Sequence, residues 1–266
     1  MVETTDETNN ENNNNEINND KLIEQEKQPD LILAKKILWA YKTGGFTCAI
    51  VEGNRGIGKS SYSLKVFHDI FVNQGWLDDV AWSMALDRIL YKVEDIIDFL
   101  DKSQKKRQHE VGFIWDDAAV FGSNLTWYTN IKLVHLLQSL MDTVRGSVSG
   151  MILTCPNQGQ LLKFLRRYDN YIVEITHTEQ GGWYRMAKGY VKRTLPSGTQ
   201  RIYPNYYDFY SCYLPVDVFD RYQMKRKKYN VDNIASLKEV MKKKEEKDQK
   251  QKLKELKEEL ENVEVD

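Results

Sequence analysis

The chain has 266 residues, with 38 Lys/Arg against 39 Asp/Glu and a formal net charge of −1, a length suited to one or two domains. Its three cysteines, Cys48, Cys155 and Cys212, are far apart and show no CxxC spacing, which argues against a disulfide framework or a zinc site. No apolar run reaches the roughly 18 residues of a membrane-spanning helix, so no membrane partner is expected, and an acidic start is the opposite of a secretory or transit peptide.

Residues 1–30 hold nine Asp/Glu against two Lys, with eight Asn between Asn9 and Asn19. So little apolar surface predicts a disordered acidic tail. Leu31, Leu33, Ala34, Ile37, Leu38 and Tyr41 then mark a helical face ending at Gly44-Gly45. An apolar strand over 46–52 leads into a helix over 59–73, with Leu64, Phe67, Ile70 and Phe71 in step. After Gly75, Val80–Ser83 reads as a second short strand. A helix over 93–102 precedes the basic loop Lys105-Lys106-Arg107, and Val111–Trp115 reads as a third strand. Helix Leu133–Val144, strand Met151–Thr154, helix 159–167 and strand Tyr171–Ile175 complete the series. Strands alternating with helices predict a mostly parallel sheet with right-handed crossovers.

The pattern changes after 175. Trp183–Lys192 and Gln200–Tyr203 alternate about a Pro196-Ser197-Gly198 turn, predicting a C-terminal β-hairpin over 182–203. An aromatic-rich stretch, Tyr203–Tyr213, follows. Residues 221–266 carry fourteen Lys/Arg and eleven Asp/Glu, which predicts a charged helical tail that is either solvated or engaged by a protein partner. The expected organisation is a tail (1–30), one domain (31–220) and a second tail (221–266).

Gly53-Asn54-Arg55-Gly56-Ile57-Gly58-Lys59-Ser60 follows the apolar strand and opens the helix. This is the phosphate-binding P-loop pattern, and each part has a mechanical reason. The glycines let backbone N–H groups approach phosphate oxygens at a helix N-terminus. Lys59 reaches the β- and γ-phosphates, Ser60 coordinates Mg²⁺, and Ser61 follows in the same turn. The loop therefore predicts ATP with Mg²⁺ as cofactors. An apolar strand ending in Asp116-Asp117 lies downstream, with Val111 51 residues after Ser60. Asp116 is placed to hold the metal and Asp117 to orient water as a general base. Thr154 or Asn157, at the end of the Met151–Thr154 strand, would contact the γ-phosphate or the water, or else simply form a Pro156 turn. Arg166-Arg167, and Arg145 before them, either complement helix C-termini or act as a finger on a neighbouring subunit's nucleotide. Arg185, Lys188, Lys192, Arg193 and Arg201, interleaved with Trp183, Tyr184, Tyr190 and Tyr203, read either as a DNA-contacting hairpin or as packing. The four histidines show no metal spacing.

Gly53–Ser60, Phe113–Asp117, Thr154–Asn157 and Arg166-Arg167, in that order over residues 46–176, resemble P-loop ATPases that carry an additional strand between the nucleotide loop and the metal-binding acid. That division includes AAA+ and DnaA-like ATPases and the HerA/FtsK-type DNA pumps. The compact size and biased tails are similar to ATPases of archaeal viruses and plasmids, such as the DnaA-like ATPase of spindle-shaped viruses. Residues 182–203 depart from AAA+ proteins: they read as strands rather than as a helical lid, closer to pump-type and zonula occludens toxin-type ATPases. The tail after 215 is helical, however, and offers a reduced lid beginning at Arg221 or Arg226. The resemblance implies a P-loop NTPase three-layer α/β sandwich and a homo-oligomer with nucleotide at the interface. It also implies ATP hydrolysis acting on DNA, in replication initiation, helicase loading or packaging, within the (host) cytoplasm. A nucleotide-dependent switch with slow hydrolysis is the alternative, since many ATPases have Glu at the second acid position.

Overall fold

The computed structural model describes residues 30–263 apart from 121, 124–130, 168–170, 180, 196 and 198. The acidic tail and the Pro196 and Gly198 positions of the hairpin turn lie outside the described residues.

Helix α1 (Ile32–Thr43) leads to β1 (Thr47–Glu52), which feeds α2 (Lys59–Asn73) through the glycine loop. There follow α3 (Asp78–Asp87), β2 (Ile89–Leu90), α4 (Val93–Lys105), β3 (Phe113–Trp115) and α5 (Ile131–Thr143). Strand β4 (Gly150–Cys155), α6 (Lys163–Arg167) and β5 (Tyr171–His177) precede the hairpin β6 (Tyr184–Thr194) and β7 (Gln200–Ser211), and α7 (Val216–Val263) closes the chain. The seven strands among the described residues form one sheet in the order β2-β3-β4-β1-β5-β6-β7. Strands β2 to β5 pair in parallel, and β6 and β7 add antiparallel. Strand β4 thus lies between the glycine-loop strand and the strand that ends in the acid pair.

The strands' two-residue period divides the core into two layers. Ala49, Val51, Ile114 and Ile152 point to one face, where α1, α2, α3 and the start of α7 pack. Cys48, Ile50, Phe113, Trp115, Met151 and Leu153 point to the other, under α4, α5 and α6. The result is a three-layer α/β sandwich with a mostly parallel sheet and a C-terminal hairpin. At Gly112 (φ 151°) a Cβ would collide with the Gly150 backbone, so the close approach of β3's entry to β4 requires glycine.

Three elements differ from the sequence reading. Val80–Ser83 is part of helix α3, not a strand. Ala81, Trp82, Ala85 and Leu86 are buried on one helical face, Asp78 and Asp79 stand in the favourable first turn, and Val80 is exposed. The only strand in that region among the described residues is the two-residue β2 at the sheet edge. The helix expected over 159–167 is a 3₁₀ turn at Gln158–Gln160 followed by the short α6. Strand β7 runs on to Ser211, so the aromatic stretch belongs to the sheet. Tyr206, Asp208 and Tyr210 face inward, whereas Tyr207 and Phe209 are exposed.

Inward-facing Asp208 takes up the first free N–H groups of α1. Its carboxylate accepts hydrogen bonds from Ile32 N (2.8 Å), Leu33 N (3.4 Å) and the Tyr62 hydroxyl (2.7 Å). No helix among the described residues is long and apolar enough to cross a membrane.

Candidate nucleotide site

The loop between β1 and α2 turns through left-handed glycines, Gly53 (φ 144°), Gly56 (φ 77°) and Gly58 (φ 106°). Gly58 is the N-cap of α2, which aims the first helical N–H groups and the positive end of the helix dipole into the cleft. The Lys59 ammonium curls over the loop and donates to the Gly53 and Asn54 carbonyls, both at 2.9 Å. Burial lowers its pKa, and the nearby Asp117 and Asp116 carboxylates partly offset this.

Ser60 donates to Asp116 Oδ1 at 2.8 Å, joining the loop to the end of β3. Asp116 is fully buried. Burial raises its pKa, as does the Asp117 charge, while hydrogen bonds from Thr154 and Ser60 oppose the rise. Thr154, also fully buried, donates to Asp116 Oδ1 (2.6 Å) and accepts from Asp117 N (2.9 Å). Its one hydroxyl proton goes to Asp116, so Thr154 ties the two acids to the end of β4. Asp117 takes a left-handed conformation (φ 51°) that turns the chain away from β3 and brings its side chain to the cleft.

Helix α7 completes the site. Tyr222 donates to Asp116 Oδ2 (3.3 Å) and accepts from Arg226 Nη1 (3.3 Å), and Arg226 Nη2 lies 3.5 Å from Asp117 Oδ2. Arg221, the other arginine considered for a lid, bonds instead to Ser83 (2.9 Å). The hairpin grips the loop from the other side: Arg185 Nε donates to Ile57 O (3.0 Å) and the Tyr210 hydroxyl to Gly58 O (3.2 Å). A cleft of about 650 Å³ runs between these elements, with Arg55, Gly56, Gly58, Lys59, Ser60 and Ser61 on its floor.

Several expected residues lie elsewhere. Asn157 is exposed, is not part of the cleft wall, and uses its side-chain oxygen to cap its own turn at Gly159 N (2.6 Å); Gln160 lines the cleft instead. Arg166 is half-buried away from the cleft, its carbonyl accepting from Lys192 (2.9 Å), and the Arg167 side chain lies outside the described residues. Arg145 is exposed beyond α5. Arg185, read with the basic hairpin residues, is 8 % exposed and committed to the loop. Tyr222 was not singled out by its sequence context. Its spacing of four from Arg226 on a helix is the one signal that pairs them.

No family model matches the chain. It is 29% identical over 205 residues, 75% of this chain and 81% of the relative, to uncharacterized protein B-251 of Sulfolobus spindle-shape virus 1. It is also 29% identical over 123 residues to uncharacterized protein ORF286 of Acidianus two-tailed virus, covering 46% of this chain and 40% of that protein. Among solved structures it is similar to the KaiC-like protein PH0186 of Pyrococcus horikoshii (14% identity, 61% of this chain and 93% of that one, TM-score 0.35). The flagellar accessory protein FlaH of Methanocaldococcus jannaschii is a second neighbour (15% identity, 68% and 98%, TM-score 0.35).

Proposed function

We propose that the chain is a Mg²⁺-dependent ATPase that acts on the DNA of an archaeal virus or related mobile element. The observation that carries the ATPase reading is the 2.8 Å bond between Ser60 and Asp116. It places a loop hydroxyl and a buried carboxylate together at the mouth of a left-handed glycine loop. Two hard oxygen donors at a phosphate-binding helix N-terminus suit Mg²⁺, which prefers few protein ligands plus water and phosphate. When bound there, the metal would neutralise charge on the β- and γ-phosphates.

The chain's own residues divide the remaining work. Gly53–Ser61 cradle the triphosphate with backbone N–H groups, and Lys59 exchanges its two loop carbonyls for phosphate oxygens. Asp117 takes a proton from the attacking water. Arg226, within reach of Asp117, supplies positive charge in cis where charge accumulates in the transition state. Arg166 and Arg167 would contribute only to a neighbouring subunit's site. The viral setting is supported by the two viral relatives, and the DNA role by exposed Arg193, Arg201, Tyr184 and Tyr203 on the hairpin. A nucleotide-dependent switch is the second reading, favoured by the Tyr222–Asp116 bond that ties α7 to the acid pair.

ATP turnover by the purified chain, with and without single- and double-stranded DNA, tests the proposal. DNA-stimulated turnover is expected; turnover indifferent to every DNA removes the DNA role. Turnover that survives Lys59→Ala overturns the site itself.

A further inference from the structure

The cleft extends past the groups that serve the phosphates. The sheet order puts the acid strand β3 on one side of β1 and the hairpin β6–β7 on the other. A triphosphate on the loop with its γ end toward Asp116 and Asp117 therefore directs its nucleoside toward the hairpin side. There the cleft wall includes Trp183 and Cys212, which are paired by a backbone hydrogen bond.

We propose that this end of the cleft is the nucleobase subsite, with the Trp183 indole as the stacking shelf for a purine. The inference rests on the P-loop reading and adds the recognition element that the loop lacks. Trp183 is 64 % exposed and Phe219 is 47 % exposed, large apolar side chains open to solvent yet lining the same cleft as Lys59. The segment that carries the shelf is anchored on several sides. Trp183 O accepts from Cys212 N at 2.8 Å, and the indole meets Tyr213 edge-on (6.2 Å, 72°). Arg185, two residues on, ties the same segment to Ile57 O while its Nη1 holds the Gly182 (2.6 Å) and Tyr184 (2.8 Å) carbonyls. Cys212 lies against the Gly58 Cα, since a Cβ on Gly58 would stand 2.9 Å from the Cys212 Cβ. Loop and shelf are thus in direct contact, and that contact sets how far a base on the shelf lies from the phosphates. Flat aromatic faces hold any base by stacking and hold the larger purines best.

Equilibrium binding of ATP and of inorganic tripolyphosphate, each with Mg²⁺, to wild type, Trp183→Ala, Trp183→Phe and Lys59→Ala tests this. Trp183→Ala is expected to weaken ATP roughly tenfold or more while tripolyphosphate stays within about twofold. Trp183→Phe should retain most of the ATP affinity, and wild type should bind ATP and GTP more tightly than CTP and UTP. ATP affinity unchanged in Trp183→Ala, or ATP and tripolyphosphate weakened equally, overturns the shelf; equal weakening would mean that Trp183 only shapes the loop. Lys59→Ala reports separately on the P-loop reading. It should weaken both ligands, and if it weakens neither that reading fails whatever Trp183 does.

Discussion

Asp117 combines a backbone constraint with a charge, and substitution can separate the two. Its left-handed φ of 51° is one that Asp and Asn tolerate better than other side chains with a Cβ. Asp117→Asn should therefore keep the fold and nucleotide affinity while lowering kcat about 100-fold or more, as read by turnover and by ATP binding on one preparation. Arg226→Ala should lower kcat by a similar factor if the charge acts in cis, with no dependence on protein concentration. Asp208 is the structural counterpart. Asp208→Ala leaves two α1 N–H groups and the Tyr62 hydroxyl without their acceptor, costing about 2–4 kcal/mol in urea unfolding. Burial raises the Asp208 pKa, opposed by the Tyr62 hydrogen bond and the two backbone ones. The folded chain thus holds that proton more tightly than the unfolded chain. Its contribution to stability falls as pH rises from the ordinary carboxylate value through the raised one, and the stability gap between wild type and Asp208→Asn should move against wild type over that window. The glycine loop and the acid pair were legible because their chemistry fixes residue types at fixed spacing. The partners Tyr222, Arg185 and Asp208 were not, since each acts across more than 100 residues of sequence.

At the scale of elements, local period and long-range pairing gave different returns. Helices with a clear apolar face, α2 and α4 among them, start where the sequence reading puts them. α3 departs from the expected strand because Val80, Ala81 and Trp82 look strand-like within Val80–Ser83, and only the continuation to Ala85 and Leu86 shows the helical face. The length of β7 was hidden by Pro204 and by aromatic residues on both faces, which blur a period of two. The same pairing gives the hairpin a task that its basic composition does not suggest. Arg185→Met should lower ATP affinity several-fold by freeing the Ile57 carbonyl, with the helical circular dichroism signal unchanged. Tyr210→Phe should do so more weakly, because a single neutral hydrogen bond is lost.

For the whole molecule, chemical labelling offers an independent reading of the architecture. Cys48 and Cys155 are buried in the sheet, and burial raises both thiols, Cys155 to about 12. Cys212 is partly accessible and lines the cleft. A thiol reagent should therefore modify Cys212 first, and ATP should protect it, as mass spectrometry of the digested protein would show. Size measurement with a non-hydrolysable ATP analogue addresses assembly: a chain that stays monomeric excludes Arg166 and Arg167 from catalysis. The strand–helix alternation made the sandwich legible from sequence, whereas the way α7 crosses the site depends on tertiary packing that no local pattern records.

That crossing has a mechanical consequence. Helix α7 is 48 residues long, about 72 Å at 1.5 Å per residue, and only its first third touches the acid pair. It is a beam held over roughly its first third, by Tyr222 and Arg226 at the acid pair and by the Tyr229–Tyr91 stack and the Asp232–Lys92 ion pair (2.8 Å) beyond them. A tilt of about 10° would sweep the far end through roughly 8 Å, so a movement at the acid pair is enlarged several-fold where α7 ends.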